Sequence, residues 1–422
     1  MLDASYIREH ADQVREAIRR KGDDADLDGW LRLDRERREL LQSSEELRAV
    51  RNRVSEEIAL LKKEKKDASE PIVRMRETGA RIKEMEGRLK EVEEGLESIA
   101  ARIPNVPHPD VPEGDESANR EIRTWGEPRR HSFRARPHWE TGEALGLLDF
   151  PRGTKITGSG FPVFFGAGAL LQRALIRFMI DLHRREHGYR EVYTPFLVNR
   201  ASMFNTGQLP KLEEDMYLAE RDDLFLIPTA EVPVTNLHAD EIFDEEMLPV
   251  RYVGYTACFR REAGAAGRDT RGLNRLHQFD KVELVHFVRP EESYDVLEEL
   301  LGHAETVLQR LGLPYRVLLL ADGDLSFASA KTYDIELWAP GQERWLEVSS
   351  CSNFEDFQAR RAKIRYRPKE GKATRHVHTL NGSGVALPRL TIAFLEHYQR
   401  EDGTVEVPPV LQPYMDGLRV IE

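Results

Sequence analysis

Cysteine is nearly absent from this chain: Cys258 and Cys351 are the only two among 422 residues. They lack metal-ligand spacing, so neither a disulfide framework nor a cysteine-built zinc site is expected, and a reducing, cytoplasmic location is. Long apolar runs are missing too. The longest, Phe161 to Leu171, contains Pro162 and glycines and falls far short of the roughly 20 residues that span a bilayer, so no membrane partner is expected. The start, MLDASYIREHADQVREAI, is charged and amphipathic without an apolar core, which argues against a signal peptide. Several nucleotide and hydrolase signatures are absent as well. There is no G-x-x-x-x-G-K-[ST], no H-E-x-x-H and no G-x-S-x-G. Gly166-Ala167-Gly168 and Gly382-Ser383-Gly384 begin like dinucleotide fingerprints but lack the third small residue. Any use of ATP must therefore rest on a different fold. No internal repeat or low-complexity segment is visible.

Charge is abundant: 32% of residues are Asp, Glu, Lys or Arg, and the formal net charge is -12. Alone, that balance argues against a nucleic-acid partner, but a local basic patch can bind phosphates on an acidic protein. The length exceeds one ordinary core, so two or more domains are expected. Residues 31–103 differ from the rest. Leu33, Leu40, Leu47, Val54 and Leu61 repeat at heptad spacing, and beyond Pro71, Ile82, Met85, Leu89, Val92, Leu96, Ile99 and Ile103 alternate three and four apart. Two a/d seams separated by the polar break KKEKKDASEP predict an antiparallel helical hairpin. At 1.5 Å per residue each arm is roughly 45–50 Å long, too long to bury in a globule. The bland alternative is a dimerising or scaffolding coiled coil. Lys62, Lys63, Lys65 and Lys66 at the tip are either a solvated turn or a set of phosphate contacts.

Residues 104–124, rich in Pro, Asp and Glu, read as a linker. A second region, 125–422, follows. It holds an amphipathic helix near Ala167–His187, then strand patterns at Tyr189–Val198 (broken by Pro195), Met216–Ala219, Leu224–Ile227, Val250–Phe259, Leu276–Val288, Tyr315–Leu320, Tyr333–Trp338 and Trp345–Cys351. Helices are expected over 291–311 and 388–401. Runs of strands with few helices between them predict an α+β fold, a mostly antiparallel sheet flanked by helices.

The most informative stretch is 256–285, TACFRREAGAAGRDTRGLNRLHQFDKVELV. A strand ends in Phe259-Arg260-Arg261-Glu262, a Gly/Arg-rich loop follows, and a second strand returns. Such a hairpin holds fixed cations and carboxylates beside a basic loop, which suits chemistry on a polyphosphate. An isolated R-x-E is more often a cross-strand ion pair, but here Arg268, Arg271 and Arg275 follow it. Phe279 offers an aromatic face that could stack on adenine or simply join the core. Trp345-Leu346-Glu347-Val348-Ser349-Ser350-Cys351 sets a carboxylate among hydroxyls, hard ligands of the kind Mg²⁺ takes with phosphate. Asn381-Gly382-Ser383-Gly384 followed by Arg389 allows close backbone approach and then supplies a cation, in a first helical turn where arginine opposes the dipole.

Gly188–Pro195 (GYREVYTP), Phe259–Glu283 and Gly382–Arg389 resemble motifs 1, 2 and 3 of the class II aminoacyl-tRNA synthetases. The helical hairpin, the linker PNVPHPDVPEGDESANREIRTWG, Thr229-Ala230-Glu231, HQFDKVE and WLEVSSCSNFEDFQARR together resemble the seryl-tRNA synthetase family of bacterial type, over nearly the whole chain and in order. The resemblance implies an N-terminal tRNA-binding helical domain (1–103, arm about 31–103) and a catalytic domain (125–422). It implies activation of L-serine with ATP and Mg²⁺, transfer to tRNA(Ser) and, where it exists, tRNA(Sec), and a homodimer built through motif 1. Zinc is not expected.

By resemblance, Arg260 bridges the serine carboxylate and the α-phosphate, and Arg389 holds the γ-phosphate. Arg261, Glu262, Phe279, Val348 and Ser349 complete the ATP site, and Glu347 and Ser350 ligate Mg²⁺. Thr229, Ala230, Glu231, Glu283 and Ser383 join Arg260 around serine, while Lys62, Lys63, Lys65, Lys66 and Arg271 meet tRNA. Pro388 stands where the family often has glycine, a residue suited to a first helical turn. The threonyl and prolyl enzymes of the same class are the nearest alternative, but they carry a C-terminal anticodon-binding domain, and only about one helix and a tail follow Arg389 here.

Overall fold

In the computed structural model the described residues are 1–263, 271–371 and 373–422. The expected cation Arg268 lies outside them. The chain divides into two units, Leu2–Pro104 and Asn105–Glu422 with Met1.

The N-terminal unit opens with α1 (Ala4–Glu9) and α2 (Ala11–Arg20) and continues into two long helices, α3 (Leu27–Lys63) and α4 (Ser69–Ala100), packed on each other. Asp26 caps α3 by accepting from the Gly29 N–H at 2.8 Å, satisfying a donor that has no partner inside the helix. The heptad positions face inward: Val54, Ile58, Ile82, Val92 and Leu96 are buried. Leu33, Leu40, Leu47, Leu61, Met85 and Leu89 are half-buried. Flanking charges pair between the arms, Arg37–Glu93 at 2.9 Å, Arg48–Glu86 at 2.8 Å, Arg74–Glu57 at 3.0 Å and Arg88–Glu36 at 2.7 Å. Exposed pairs of this kind add little stability, but they select the register in which the helices meet. Pro71 does not end the break as its position suggests. It sits inside the first turn of α4, where no intrahelical N–H bond is lost.

The larger unit is built on an eight-stranded sheet. In chain order its strands are β1 (Arg120–Trp125), β2 (Arg190–Val192), β3 (Val250–Phe259), β4 (Gln278–Val288), β5 (Tyr315–Leu319), β6 (Lys331–Ala339), β7 (Arg344–Asn353) and β8 (His378–Ala386). They are ordered β1-β5-β6-β7-β8-β4-β3-β2 across the sheet. Every pairing is antiparallel except that of β2 with β3. Five further helices matter below: α5 (His138–Ala144), α6 (Gly166–Glu186), α7 (Glu231–Asn236), α8 (Ser293–Leu311) and α9 (Leu387–His397). Helices α6, α8 and α9 share one apolar core with the sheet. Val282 and Leu284 of β4 point into that core, so the alternate residues Lys281 and Glu283 belong to the other face; Phe279, nearer the strand's start, is half-buried against the core and also lines the cavity described below. Helix α8 ends at Gly312 in the left-handed conformation, φ 67°, the residue for which that geometry carries no Cβ penalty.

Most expected strands are found with ends within two residues, and Val250–Phe259 is found as expected; Tyr189–Val198 divides into Arg190–Val192 and Leu197–Asn199, on either side of Pro195. Two larger differences appear. Residues 105–124, read as a linker, are held by the larger unit. The Asn105 amide donates to Ala328 O and Phe354 O, both at 2.9 Å, Val111 packs with Leu318, Leu320 and Leu325, and β1 begins at Arg120. The second is β8, which is absent from the expected strands. It lies between β4 and β7 with a buried interior. A Cβ at Gly382 would sit 2.9 Å from Cys351 Sγ and 3.2 Å from Leu300. The glycine is there because α8 crosses close above the strand, not because the chain turns.

Candidate active site

The face of the sheet opposite the large core carries a cavity of about 650 Å³, in the range of a small-molecule site. Strands β4, β7 and β8, the end of β3 and the start of α9 supply its floor. Two irregularities set its chemistry. Glu347 and Ser350 are three apart on β7, and in a regular strand they would face opposite ways. The register between β6 and β7 slips there: Ile335 pairs with Ser349, but Glu336 pairs with Glu347. Val348 is the extra residue, and this bulge returns Ser350 to the side of Glu347. A second slip pairs Lys281 with Ala386 but Glu283 with Ser383, setting Ser383 across from the buried carboxylate.

At the mouth, the Arg260 guanidinium lies 5.2 Å over the Phe279 ring and donates to Pro228 O at 3.4 Å. Beside it Glu262, at φ 51°, pairs with Arg275 at 2.5 Å. Arg389 Nη1 donates to Glu347 O at 2.8 Å and to its carboxylate at 3.0 Å. Partial loss of solvent opposes charge on Glu347, whose side chain stays 45% exposed at the cavity wall, but Arg389 first, then Arg260 and Lys281, outweigh it and hold the carboxyl below its ordinary value. Asp334 hydrogen-bonds Ser350 and has its Oδ1 without a partner. Burial, then the charge of Glu347, push it well above the usual carboxylate range.

Deeper lies a second set. Glu283 is fully buried and takes three donors: Lys281 Nζ at 2.5 Å, Asn381 Nδ2 at 2.9 Å and Thr229 Oγ1 at 3.3 Å. Glu231, at the start of α7, accepts from Gln358 Nε2 at 2.6 Å. Burial, with the charge of Glu283 behind it, raises its pKa to about 7. The Gln358 amide is in turn held by Thr379 Oγ1 at 2.8 Å. A group with buried carboxylates and a hydroxyl beside a basic, aromatic mouth can accept a small ammonium at its base and a phosphate chain at its opening.

Of the residues named from sequence, Thr229, Glu231, Arg260, Glu262, Phe279, Glu347, Val348, Ser350, Ser383 and Arg389 line the cavity. Glu283 lies immediately behind, through Lys281. Ala230 is buried as the cap of α7. Ser349 faces away, its hydroxyl donating to Ser383 O at 2.6 Å. The side chain of Arg261 is exposed, while its backbone N–H bonds Asp215 O at 2.9 Å. Arg271 stacks 4.6 Å over the Trp139 ring. Lys62, Lys63, Lys65 and Lys66 are exposed around the turn between α3 and α4, in the other unit. Sequence reasoning missed Lys281, Asn381 and Gln358. The first was signalled by its place between Phe279 and Glu283 in strand alternation. Asn381 stood in plain view beside the glycines, and nothing local marks Gln358.

Residues 214–398 match the tRNA synthetase class II core domain (G, H, P, S and T), and residues 1–107 match the seryl-tRNA synthetase N-terminal domain. The serine–tRNA ligase of Caldanaerobacter subterraneus subsp. tengcongensis is 60% identical over 416 residues, 98% of each chain. That of Geobacter sulfurreducens is 54% identical over 422 residues, 100% of each. Among solved structures, seryl-tRNA synthetase from Pyrococcus horikoshii complexed with ATP superposes with a TM-score of 0.96 at 39% identity, covering 100% of this chain and 99% of that one. A more distant neighbour, the seryl-tRNA synthetase of M. kandleri in complex with tRNASec from A. aeolicus, has a TM-score of 0.58 at 21% identity, covering 83% of this chain and 70% of that one. With both its units matched and relatives of this identity over its full length, the chain belongs to the seryl-tRNA synthetase family of class II aminoacyl-tRNA synthetases.

Proposed function

We propose that the chain joins L-serine to tRNA(Ser) in two steps on the cavity described above, and to tRNA(Sec) where that tRNA exists. The observation that carries the reading is the buried Glu283, hydrogen-bonded by Thr229, Asn381 and Lys281, directly behind a mouth formed by Arg260, Phe279 and Arg389. A carboxylate in that position gives serine's ammonium and hydroxyl buried acceptors, and its neighbours would be left unpaired by alanine. Threonine is excluded by the room its methyl needs.

In the first step a serine carboxylate oxygen attacks the α-phosphorus of ATP, the bond to the bridging oxygen breaks, and pyrophosphate leaves. No side chain forms a covalent bond. Arg260 neutralises the attacking carboxylate and the α-phosphate together, through its rigid fork. Phe279 stacks on adenine, Glu262 takes the adenine's amino group, and Arg389 holds the γ-phosphate. Arg389 now holds Glu347 instead, so the arriving phosphate replaces one anion by another. Glu347 and Ser350, brought to one side by the bulge at Val348, are hard oxygen donors suited to Mg²⁺, and Asp334 behind Ser350 has an oxygen to spare. When bound there, Mg²⁺ supplies charge neutralisation for the phosphate chain. In the second step the ribose hydroxyl of the terminal adenosine attacks the seryl carbonyl, and AMP leaves.

The α3–α4 arm reads the long variable arm of the tRNA by shape and backbone, with the tip lysines making phosphate contacts. Two copies associate through the motif 1 elements, where Arg173, Ile176 and Ile180 of α6, Glu191 of β2 and Tyr255 of β3 line a groove of about 390 Å³, with the exposed Tyr193 near Tyr255. The test is aminoacylation of total tRNA with serine against threonine, alanine and cysteine. Charging by serine alone is expected, and equal charging by threonine would overturn the pocket assignment.

A further inference from the structure

Beneath the loop that returns to β4 lies a buried carboxylate for which the two steps above have no use. Glu396, near the end of α9, is fully buried and accepts four donors. These are the His138 N–H at 2.9 Å, the His138 ring Nδ1 at 3.0 Å, the Gln342 amide at 3.1 Å and the Gly341 N–H at 2.9 Å. Two of these partners reach onward to consecutive residues of the same segment. His138 Nε2 accepts the Leu273 N–H at 2.9 Å, so its proton resides on Nδ1, facing Glu396. The Gln342 carbonyl accepts from Asn274 Nδ2 at 3.0 Å. The next residue is Arg275, which pairs with Glu262 across the neck of the hairpin at 2.5 Å.

We infer that Glu396, through His138 and Gln342, is a two-pronged clamp that sets Leu273–Arg275 and thereby positions Glu262 for ATP. Glu396 touches no reacting atom and is a positioning residue. Its chemistry suits the task. A buried carboxyl group that accepts four hydrogen bonds is held in one place, and the donor ends of both prongs face it, which leaves their acceptor ends for Leu273 and Asn274. The clamp also joins α9, which carries Arg389 at its start, to the neck that carries Glu262, so the two ends of the ATP site share one fixed post. The inference rests on the reading of Glu262 as an adenine contact.

The two prongs can be separated by variants. H138Q retains an acceptor where the ring Nε2 stood; H138N retains a donor at Nδ1 but leaves the Leu273 N–H unpaired. Q342A removes the second prong. Serine-dependent ATP–pyrophosphate exchange on the full chain reads the KM of ATP and of serine separately, with thermal unfolding followed alongside. H138N and Q342A are expected to raise the KM of ATP about five- to tenfold, with the KM of serine within about twofold. H138Q is expected to recover most of the loss, and E262A to raise the KM of ATP as well. An unchanged KM of ATP in H138N and Q342A, beside a raised one in E262A, would overturn the clamp alone. Equal rises for ATP and serine would reduce it to general support and also overturn it. If E262A left the KM of ATP unchanged, the adenine contact and the clamp's purpose would fall together.

Discussion

The arm and the catalytic sheet obey different rules of construction. In the arm, a single spacing repeats, and each cross-arm contact follows from the one before it: Arg37 meets Glu93 and Arg48 meets Glu86 in steady antiparallel order. In the sheet, each contact of the site is made once. Glu283 meets Asn381 across 98 residues, and Gln358 meets Glu231 across 127. A periodic surface tolerates the loss of any one position and suits recognition by shape. A site of singular contacts does not, and it suits chemistry that fails when one charge is misplaced.

That contrast can be broken by experiment, most sharply at Arg260. R260A is expected to lower pyrophosphate exchange by about a thousandfold or more, as loss of a central charge-stabilising group does, with the arm's helicity by circular dichroism unaltered. Exchange within tenfold of the parent would remove Arg260 from the centre of the mechanism. Next, a chain lacking residues 36–98 should keep exchange within about twofold while charging of tRNA falls at least about a hundredfold, since shape recognition is gone. Normal charging would mean that the sheet unit reads tRNA without help.

E283A should raise the KM of serine about a hundredfold, because Thr229, Asn381 and Lys281 lose their buried acceptor, with little change for ATP. Equal losses for both substrates would sink the serine assignment. A pH series tests Glu231, whose pKa is raised to about 7 by burial and then by Glu283. The raised value means that the folded chain holds a proton that the unfolded chain releases near its ordinary value of 4.5. This residue's share of stability is therefore full below that value and is lost as pH rises through about 7. Binding has the opposite sign, because serine's ammonium needs the carboxylate. The KM of serine should climb by up to about tenfold per pH unit below 7 and flatten in E231Q; the same slope in E231Q would assign the titration elsewhere. The smallest effect on chemistry belongs to the arm's core. I82A should cost the arm about 2–4 kcal/mol, seen as local loss of amide protection, with exchange unchanged.

The arm was legible in the sequence because its signal and its structure have the same period. The strands around Arg260 and Glu347 were legible too, for their β-branched and aromatic runs are local. The bulge at Val348 was not. It depends on how β6 and β7 pair, and no residue within the segment announces it. The strand from His378 to Ala386 was hidden for a related reason: its glycines answer to Leu300 and Cys351, residues distant in the chain. Residues 105–124 carry the composition of a linker and yet belong to the larger unit, because the groups that hold Asn105 come from Ala328 and Phe354.

What the chain alone determined is whatever arises within a few turns of helix or one strand: the hairpin arm, the sheet class, and the types of residue available for ATP and serine. Tertiary structure decided which of them meet. It brought Glu347 and Ser350 to one side, set Lys281 and Asn381 on Glu283, turned Ser349 away, and put Glu396 under the return of the loop. The reason is physical. Periodicity is written in neighbouring residues, whereas the pairing of buried charges depends on partners that only folding brings within hydrogen-bond reach.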